Sequence, residues 1–528
     1  MPTLDWIGKD KVVNHHLDVP YRVLERVYSY DQAGQHDADN GSENMIIHGD
    51  NLEALKSLLP QYEGRVKCIY IDPPYNTGNE GWVYNDNVND PRMVAWLGKV
   101  VGSEGEDLSR HDKWLCMMYP RLRLLQKLLH PENGVIFISI DENEIEELKM
   151  LCNEIFGRNH HVATVVWQKR YSRENRGAFG DAHEYLLVYA SNIEVFKATR
   201  HKVAFDEKQA EIYQNPNNDP KGRWRGVPMT AQGFRPNQMY AIETPSGKVV
   251  HPPKGRCWST IETEFNKLRS AGRIYFGKNG DSQPQIIRYL SEVEGAVPWT
   301  WWPSSEVGHT DEAKKEIMSI LADQEGIFDT PKPTRLIERI LQIASDPDSI
   351  ILDSFAGSGT TAHAVLKANA ADGGHRRFIC IELMDYADTI TAERVKRVIN
   401  GYGEGKNTTP GIPGDFSFYE LGEPLFIGEN LNEDVGIDKI REYVFFTETR
   451  QRIQPTDVPY YLGSHVGNAY YFYYERNRAT ILNRDFLHSI KTKAENYVIY
   501  ADQCVFSPEE LERYHVAFKK IPRDISRL

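Results

Sequence analysis

Four consecutive residues, Asp72-Pro73-Pro74-Tyr75, bring together a carboxylate, two residues without a backbone donor and an aromatic ring. Lys67 apart, residues 66–71 form an apolar, β-branched and aromatic run, which predicts a short strand buried on both faces with Asp72 at its carboxyl end. Pro73 and Pro74 then fix two φ angles, so the carbonyls of Asp72 and Pro73 are held in a rigid turn with no ladder partner. An acceptor-rich corner of this kind suits a ligand that brings an NH2 group. Tyr75 offers a face on which a planar ring can stack, and its ring rather than its hydroxyl is the group expected to matter. The plainer alternative is a Pro-Pro turn that merely closes a strand, and four residues alone do not separate the two.

A second constellation lies almost three hundred residues later. Residues 350–364 read Ile-Ile-Leu-Asp-Ser-Phe-Ala-Gly-Ser-Gly-Thr-Thr-Ala-His-Ala, a strand that passes through a glycine loop into a helix. Gly357-x-Gly359-x-x-Ala362, followed by a strand ending at Glu382, satisfies the fingerprint for a dinucleotide or related adenosine ligand. The glycines allow close backbone approach, and the carboxylate can accept from both ribose hydroxyls. This pattern alone does not distinguish NAD from S-adenosylmethionine (SAM). The loop lacks Gly-Lys-Ser/Thr, so it is a poor phosphate-binding loop for ATP.

The surrounding pattern says how these residues are positioned. Residues 45–48 predict a strand, Gly49-Asp50 a turn, and residues 51–59 a helix with Leu52, Leu55, Leu58 and Leu59 at helical spacing before Pro60 ends it. Asp50 thus falls at a strand's carboxyl end, where open α/β sheets bind ligands, and it can equally cap the helix. Residues 76–110 are polar and too long for a simple connector, and read as a mobile active-site loop. A helix over 113–129, a strand over 135–140, a helix over 142–156 and a hairpin from 162–167 and 185–189 follow. Pro331-Lys332-Pro333 leads into a helix carrying Leu336, Ile337, Ile340 and Leu341. Beyond a Gly/Pro-rich linker near 402, strands are expected at 443–447, 469–474 and 497–500, and Ser507-Pro-Glu-Glu510 predicts a capped helix.

Between the two α/β halves the chain changes character. Residues 191–325 interleave turn formers with arginines and aromatics, as in Arg223-Trp224-Arg225, Arg235, Lys248, Arg256 and Trp299-Thr-Trp-Trp302. Cations neutralise phosphate and planar side chains stack or wedge at bases, so the arginines as a group point to DNA. Any single tryptophan is as well explained by a core. The chain carries a net charge of -13, yet residues 165–300 hold 20 Lys/Arg against 14 Asp/Glu, which makes that part +6 and the remainder -19. A modestly basic middle in an acidic protein fits one face that meets a polyanion.

With 528 residues and 40% hydrophobic content the chain should form about three globular domains. It has no apolar run of the roughly 20 residues needed to span a bilayer and its first residues lack a signal-peptide pattern, so a cytoplasmic location is expected. Six scattered cysteines give neither a disulfide framework nor a zinc site.

Taken together, Asp72-Pro73-Pro74-Tyr75, Phe355-x-Gly357-x-Gly359, Gly49-Asp50, Glu382 and Pro331-Lys332-Pro333 resemble the β class of DNA amino-methyltransferases. More closely, residues 1 to about 400 are similar to the modification (Mod) subunits of type III restriction-modification systems. The resemblance implies an α/β fold with a Rossmann-like, doubly wound SAM-dependent methyltransferase sheet in permuted order. The domains would be a catalytic half over 1–190, a target-recognition domain over 191–327, a SAM-binding half over 328–402 and a C-terminal α+β domain over 403–528. It implies catalysis by Asp72, Pro73, Pro74 and Tyr75. Phe355, Gly357 and Gly359 would line the cofactor's methionine end, Glu382 its ribose, Asp50 its adenine, and Thr330 with Lys332 its carboxylate, with Asp353 and Ala356 also in the cofactor site. The partners implied are double-stranded DNA, a second copy of the chain and a restriction (Res) subunit. Asp before Pro-Pro-Tyr is the form usual for adenine N6, with cytosine N4 the alternative. The target base must be flipped out of the duplex to reach such a pocket. Transfer would be direct, through hydrogen bonds from the NH2 to Asp72 and the Pro73 carbonyl, with neither a metal nor a covalent cysteine intermediate. An NAD-dependent dehydrogenase would leave the Asp-Pro-Pro-Tyr run unexplained, and a non-catalytic DNA-recognition subunit would leave the whole catalytic set unexplained.

Overall fold

The structure is a computed structural model that describes residues 3–76, 110–171, 179–203, 210–293, 295–324, 328 and 330–527. It divides into two compact units, one formed by Met1–Arg200 with Trp299–Leu528 and the other by His201–Pro298. The expected loop over 76–110 falls, from residue 77 to 109, outside the described residues.

The larger unit is built on one eleven-stranded sheet. Its strands are β1 (Arg22–Asp31), β2 (Gly34–His36), β3 (Met45–His48), β4 (Cys68–Ile71), β5 (Val135–Ile140), β6 (His161–Gln168), β7 (His183–Ala190), β8 (Trp301–Trp302), β9 (Ile350–Asp353), β10 (Arg377–Glu382) and β11 (Phe416–Pro424). They lie in the order β8-β6-β7-β5-β4-β9-β10-β3-β11-β1-β2. The block β5-β4-β9-β10-β3-β11 is parallel throughout, and antiparallel strands flank it on both sides. Every residue of β4, β5, β9 and of β3 up to Ile47 is buried. That is why these strands read as continuous apolar runs: alternate side chains go to opposite faces, and both faces are covered.

Connections between the parallel strands are helical. The chain passes from β3 to β4 through α1 (Asn51–Tyr62), and α2 (Arg110–Leu128) precedes β5. β7 pairs antiparallel with both β5 and β6 as the predicted hairpin requires. In the second half α3 (Thr310–Ile320) and α4 (Thr334–Ala344) precede β9, and α5 (Thr360–Asp372) joins β9 to β10. From β4 the chain builds outward through β5, whereas from β9 it builds the other way through β10. The order therefore reverses between β4 and β9, and a doubly wound sheet opens its ligand crevice at that point, at the strands' carboxyl ends.

Several expectations shift. Pro60 lies inside α1, which runs on to Tyr62; in the last turn the missing proline donor removes one bond without breaking the helix. Residues 443–447 are helical, within α6 (Ile437–Thr449), where Ile440, Tyr443, Val444 and Phe446 join the core that also holds Leu55, Leu58 and Trp114. A β-branched and aromatic run is helical there because a buried face decides over propensity. The tail from 403 is not a separate body, since β11 enters the main sheet between β3 and β1. The four-stranded sheet of Tyr461–His465, Asn468–Phe472, Asn496–Ala501 and Val516–Lys520 belongs to the same unit. Ser507 caps the helix Pro508–Arg513 with the reciprocal box the sequence predicts.

His201–Pro298 forms its own unit of short antiparallel ribbons, narrower than the expected 191–327. Its chain ends meet in a bridge between Val203 and Ala296. One core gathers Met229, Ile242, Val250, Trp258, Phe265 and Phe276, and a smaller one gathers Trp224, Ile287 and Tyr289. Among the described residues no helix is long and apolar enough to cross a membrane.

Candidate active site

Four neighbouring parallel strands each deliver a carboxylate to one edge of the sheet. β4 is followed by Asp72, β9 ends at Asp353, β10 ends at Glu382, and β3 is followed after two residues by Asp50. Their sheet order is β4-β9-β10-β3, so residues from both halves of the chain stand in one row across the switch point.

The Asp72 turn is fixed from three sides. Pro73 and Pro74 end β4, the Trp114 indole of α2 donates to the Pro74 carbonyl at 2.7 Å, and Asn76 leaves the turn in the left-handed region with φ 59°. Asparagine tolerates that conformation better than most residues, and the buried Asn76 amide donates to Glu144 at 2.5 Å. Tyr75 is thereby tucked inward with its ring buried.

Around Asp72 the structure assembles two carboxylates, two ammonium groups and one phenol. Lys332 donates to both Asp72 oxygens, at 2.8 and 2.7 Å, and lies 3.7 Å from Glu184 Oε2. Lys169 holds the other Glu184 oxygen at 3.2 Å. The Tyr75 hydroxyl, which has a single proton, sits 2.8 Å from Asp72 and 3.1 Å from Glu184, and the Lys332 ammonium stands 4.9 Å from the centre of the Tyr75 ring. Burial raises the Asp72 pKa above the ordinary aspartate value even against Lys332, with Glu184 adding to the rise. Burial pushes Glu184 the same way, but Lys332 and Lys169 outweigh it and hold Glu184 below its ordinary value. Burial together with the two carboxylates keeps the Tyr75 phenol protonated. The hydroxyl of Tyr75 is thus engaged with the carboxylates in addition to the ring that the sequence singled out.

The glycine loop carries the other half of the site. Gly357 and Gly359 have φ of 51° and 77°, conformations that side chains rarely adopt. A Cβ on Gly357 would lie 2.9 Å from the Phe328 ring, and one on Gly359 would lie 2.9 Å from the Thr391 carbonyl. Ala356 is tied to β10 through its N–H to the Ile381 carbonyl, and Phe355 donates its N–H to Asp353 at 3.0 Å. Glu382 accepts from the N–H groups of Gly357, at 2.7 Å, and Met384, at 2.9 Å. Burial lifts both Asp353 and Glu382 to a pKa of about 7. Asp50 caps α1 by accepting from the Leu52 N–H at 2.7 Å and lies 3.5 Å from the buried Arg121. Arg394, fully buried, bonds Ser358 at 3.0 Å, Thr360 at 2.9 Å and Thr334 at 3.0 Å, which fixes the start of α4 to the glycine loop. Lys332, just before α4, is thereby aimed at Asp72, and Thr330 is exposed.

The expected DNA contacts all lie in the smaller unit, where Arg223, Arg235 and Lys248 are exposed, Arg225 and Arg256 half-buried and Trp224 buried. Trp224 is buried, with its indole N–H donated to Asn217, which makes it a core residue and not a base-stacking surface. Arg223 is bound to the carbonyls of Tyr213 and Ala210, and Arg256 to Thr230, as braces between ribbons. Arg225 lies over the Tyr213 ring at 5.3 Å. Arg235 and Lys248 are exposed. Of the tryptophan run in the larger unit, Trp302 is buried, whereas Trp299 and Trp301 are about half exposed.

Glu184 and Lys169 are the residues that sequence reasoning passed over. The expected strand began at 185 and left Glu184 outside it, although a lone carboxylate at the head of the apolar run Tyr-Leu-Leu-Val-Tyr was a signal that it faces something specific.

Residues 66–393 match the N6/N4 methyltransferase family described as DNA methylase. The chain is 36% identical over 426 residues to the StyLTI Mod subunit, a type III restriction-modification enzyme subunit of Salmonella typhimurium, covering 75% of this chain and 62% of that protein. It is 34% identical over 422 residues to the EcoPI Mod subunit of Escherichia phage P1, covering 72% of this chain and 63% of that protein. The chain thus spans a little under two thirds of those subunits. It is 32% identical to the type II methyltransferase M.KpnI of Klebsiella pneumoniae over 65% of this chain and 81% of that protein.

The ion-pair geometry predicts how stability responds when Lys332 is removed. Lys332→Met leaves Asp72 with the phenol alone and Glu184 with Lys169, so the folded-state pKa of Asp72, already above the ordinary value, rises further and Glu184 loses part of what holds its own down. Unfolding in urea at pH 8 should show a loss of about 3–5 kcal/mol, the usual penalty for one partner left in a buried pair. The loss should shrink as pH falls and the carboxylates take up protons. Equal losses at pH 8 and pH 5 would contradict the arrangement.

Proposed function

The chain belongs to the N6/N4 DNA methylase family, and we propose that it transfers a methyl group from SAM to N6 of an adenine flipped out of double-stranded DNA. The observation that carries this reading is Asp72, an acceptor carboxylate at the switch point with an aromatic ring beside it, one strand away from a glycine cradle.

The residues present fit SAM on two counts. Gly357 and Gly359 leave the loop between β9 and α5 without side chains where backbone must be approached closely, and Glu382 stands beside it as a hydroxyl acceptor. The Ser354 hydroxyl in that loop is buried and, among the described residues, has no hydrogen-bond partner. Asp353, Phe355, Ala356 and the two glycines would line the cradle, with Asp50 at its far end. When bound, SAM supplies a sulfonium methyl: the amine lone pair forms the N–C bond as the C–S bond breaks, the freed electron pair stays on sulfur, and the nitrogen sheds one proton. The chain's part is to make the amine a nucleophile. An aromatic NH2 has its lone pair delocalised into the ring, and donating its two N–H bonds to Asp72 and the Pro73 carbonyl localises that pair on nitrogen. A carboxylate whose pKa burial has raised is also the better proton acceptor. Tyr75 holds the base, by its ring and through a hydroxyl that keeps Asp72 in place.

The Mod subunits to which the chain is similar support a Res subunit as a partner and double-stranded DNA as the substrate; a second copy of the chain is a partner under the same reading. The N4 position of cytosine is the alternative acceptor, since the family name covers both. Incubating unmethylated DNA with the chain and SAM bearing a labelled methyl, then digesting to nucleosides, should give labelled N6-methyladenine. Label on N4-methylcytosine would shift the assignment, and no label would overturn it. Asp72→Ala should abolish transfer and leave SAM affinity nearly unchanged.

Glu382 gives this reading a pH signature. Its pKa of about 7 means that it is largely protonated below neutrality. A ligand that needs the ionised carboxylate must then displace that proton, so SAM affinity should fall as pH drops from 8 to 6, by up to about tenfold per unit. Calorimetry on Glu382→Gln should show weaker binding with a flatter profile. An unaltered profile would remove Glu382 from the cofactor site.

In the smaller unit, the exposed Arg235 and Lys248 are the residues assigned to phosphate. Neutralising both should reduce the log-log salt slope of DNA binding by roughly one unit per lost contact. An unchanged slope would make them ordinary surface charges.

A further inference from the structure

Lys332 occupies two positions that an incoming base would need. Its ammonium sits on both oxygens of Asp72 and at the same time lies against the face of Tyr75. An ammonium on a carboxylate beside an aromatic face presents the same donors and the same stacking contact as an aromatic amine. A base cannot enter while Lys332 is there, and a lysine expelled into a buried region without a counter-charge would meet a large desolvation penalty. Glu184 is the nearest alternative. Its Oε2 is already 3.7 Å from the Lys332 nitrogen and also accepts from Tyr75, so the ammonium can change carboxylates by a rotation of its own side chain.

Building on the functional reading above, we propose that Glu184 is a positioning residue for transfer: it receives the Lys332 ammonium when the acceptor amine displaces it from Asp72. The exchange makes the two carboxylates unequal at the moment that matters. Before it, Asp72 is neutralised by Lys332 and Glu184 by Lys169. After it, both cations lie on Glu184, and Asp72 faces the amine alone. Positive charge develops on that nitrogen as the methyl arrives, so an Asp72 cleared of its cation stabilises the transition state more than the ground state. A permanently clamped Asp72 would do neither. The Tyr75 phenol lies within hydrogen-bond reach of both carboxylates and can give its one proton to either as the lysine moves. Glu184 itself is held ionised by its cations, which suits an acceptor of ammonium better than an acceptor of protons.

The test uses the full chain, duplex DNA and saturating SAM, and compares Glu184→Gln with the double variant Glu184→Gln/Lys332→Met. Glutamine keeps the shape but offers no charge, so Lys332 stays on Asp72. Transfer should fall on the order of a hundredfold, the scale on which one positioned polar group changes a rate, with SAM affinity within about twofold of wild type. Deleting the lysine as well removes the obstruction, so the double variant should recover at least about tenfold over the single one. A merely structural Glu184 predicts the reverse, because a second lesion in the same cluster adds damage. A double variant no faster than Glu184→Gln overturns the proposal, as does a Glu184→Gln chain as active as wild type. If Glu184→Gln fails to bind SAM, Glu184→Ala, which also removes the charge, is compared with and without Lys332→Met under the same criterion. A wild-type chain that transfers no methyl would overturn the functional reading and this proposal with it; an active wild type whose variant is not rescued overturns this proposal alone.

Discussion

Gathering four carboxylates at the ends of four adjacent strands is the constraint that the rest of the site answers to. Like charges close together in a low-dielectric edge cannot all remain ionised without compensation. The structure compensates each one differently. Asp72 has the Lys332 ammonium and the Tyr75 phenol. Asp50 is a helix cap close to the buried Arg121. Asp353 and Glu382 receive backbone N–H groups and no cation among the described residues, and burial brings their pKa values to about 7. This sorting explains why pieces distant in sequence converge: Lys332 comes from the turn before α4, Lys169 from the end of β6, and Arg121 from the middle of α2.

The same sorting divides the labour. On the β4 side, cations and a phenol sustain charge on Asp72 and Glu184, where the proposed function places the acceptor amine. On the β9 and β10 side, carboxylates near neutrality flank a loop whose glycines admit a close ligand. The switch point between β4 and β9 keeps the two halves of the site on neighbouring strands. Rigidity follows from burial: Arg394 ties the glycine loop to α4, and Trp114 ties the Pro-Pro turn to α2.

The parts of the site legible in the sequence are those with strong local signals. Asp72, Gly357, Gly359 and Glu382 each follow a continuous apolar run, and such a run reports a buried parallel strand whatever its partners. The ion-pair network was not legible. Lys332 and Asp72 are 260 positions apart and Glu184 and Tyr75 are 109 apart, and no local pattern encodes which cation meets which carboxylate. Residues 443–447 misled for the opposite reason, since a strand-like composition lies on a helix whose buried face decides its state. In the smaller unit the arginine and tryptophan pattern did not show which side chains would be turned inward. Trp224 lies in a core, whereas Arg223 is exposed yet bound to two backbone carbonyls, and Arg235 and Lys248 are presented to solvent.

The claim that Asp72 is the acceptor carboxylate, screened by a movable lysine, can be seen directly in a crystal structure of the chain with duplex DNA and a SAM analogue that cannot transfer its methyl. The account predicts an extrahelical base over Tyr75 with its amine on Asp72, and Lys332 against Glu184. A bound base with Lys332 still on both oxygens of Asp72, or an amine held away from Asp72, would contradict it.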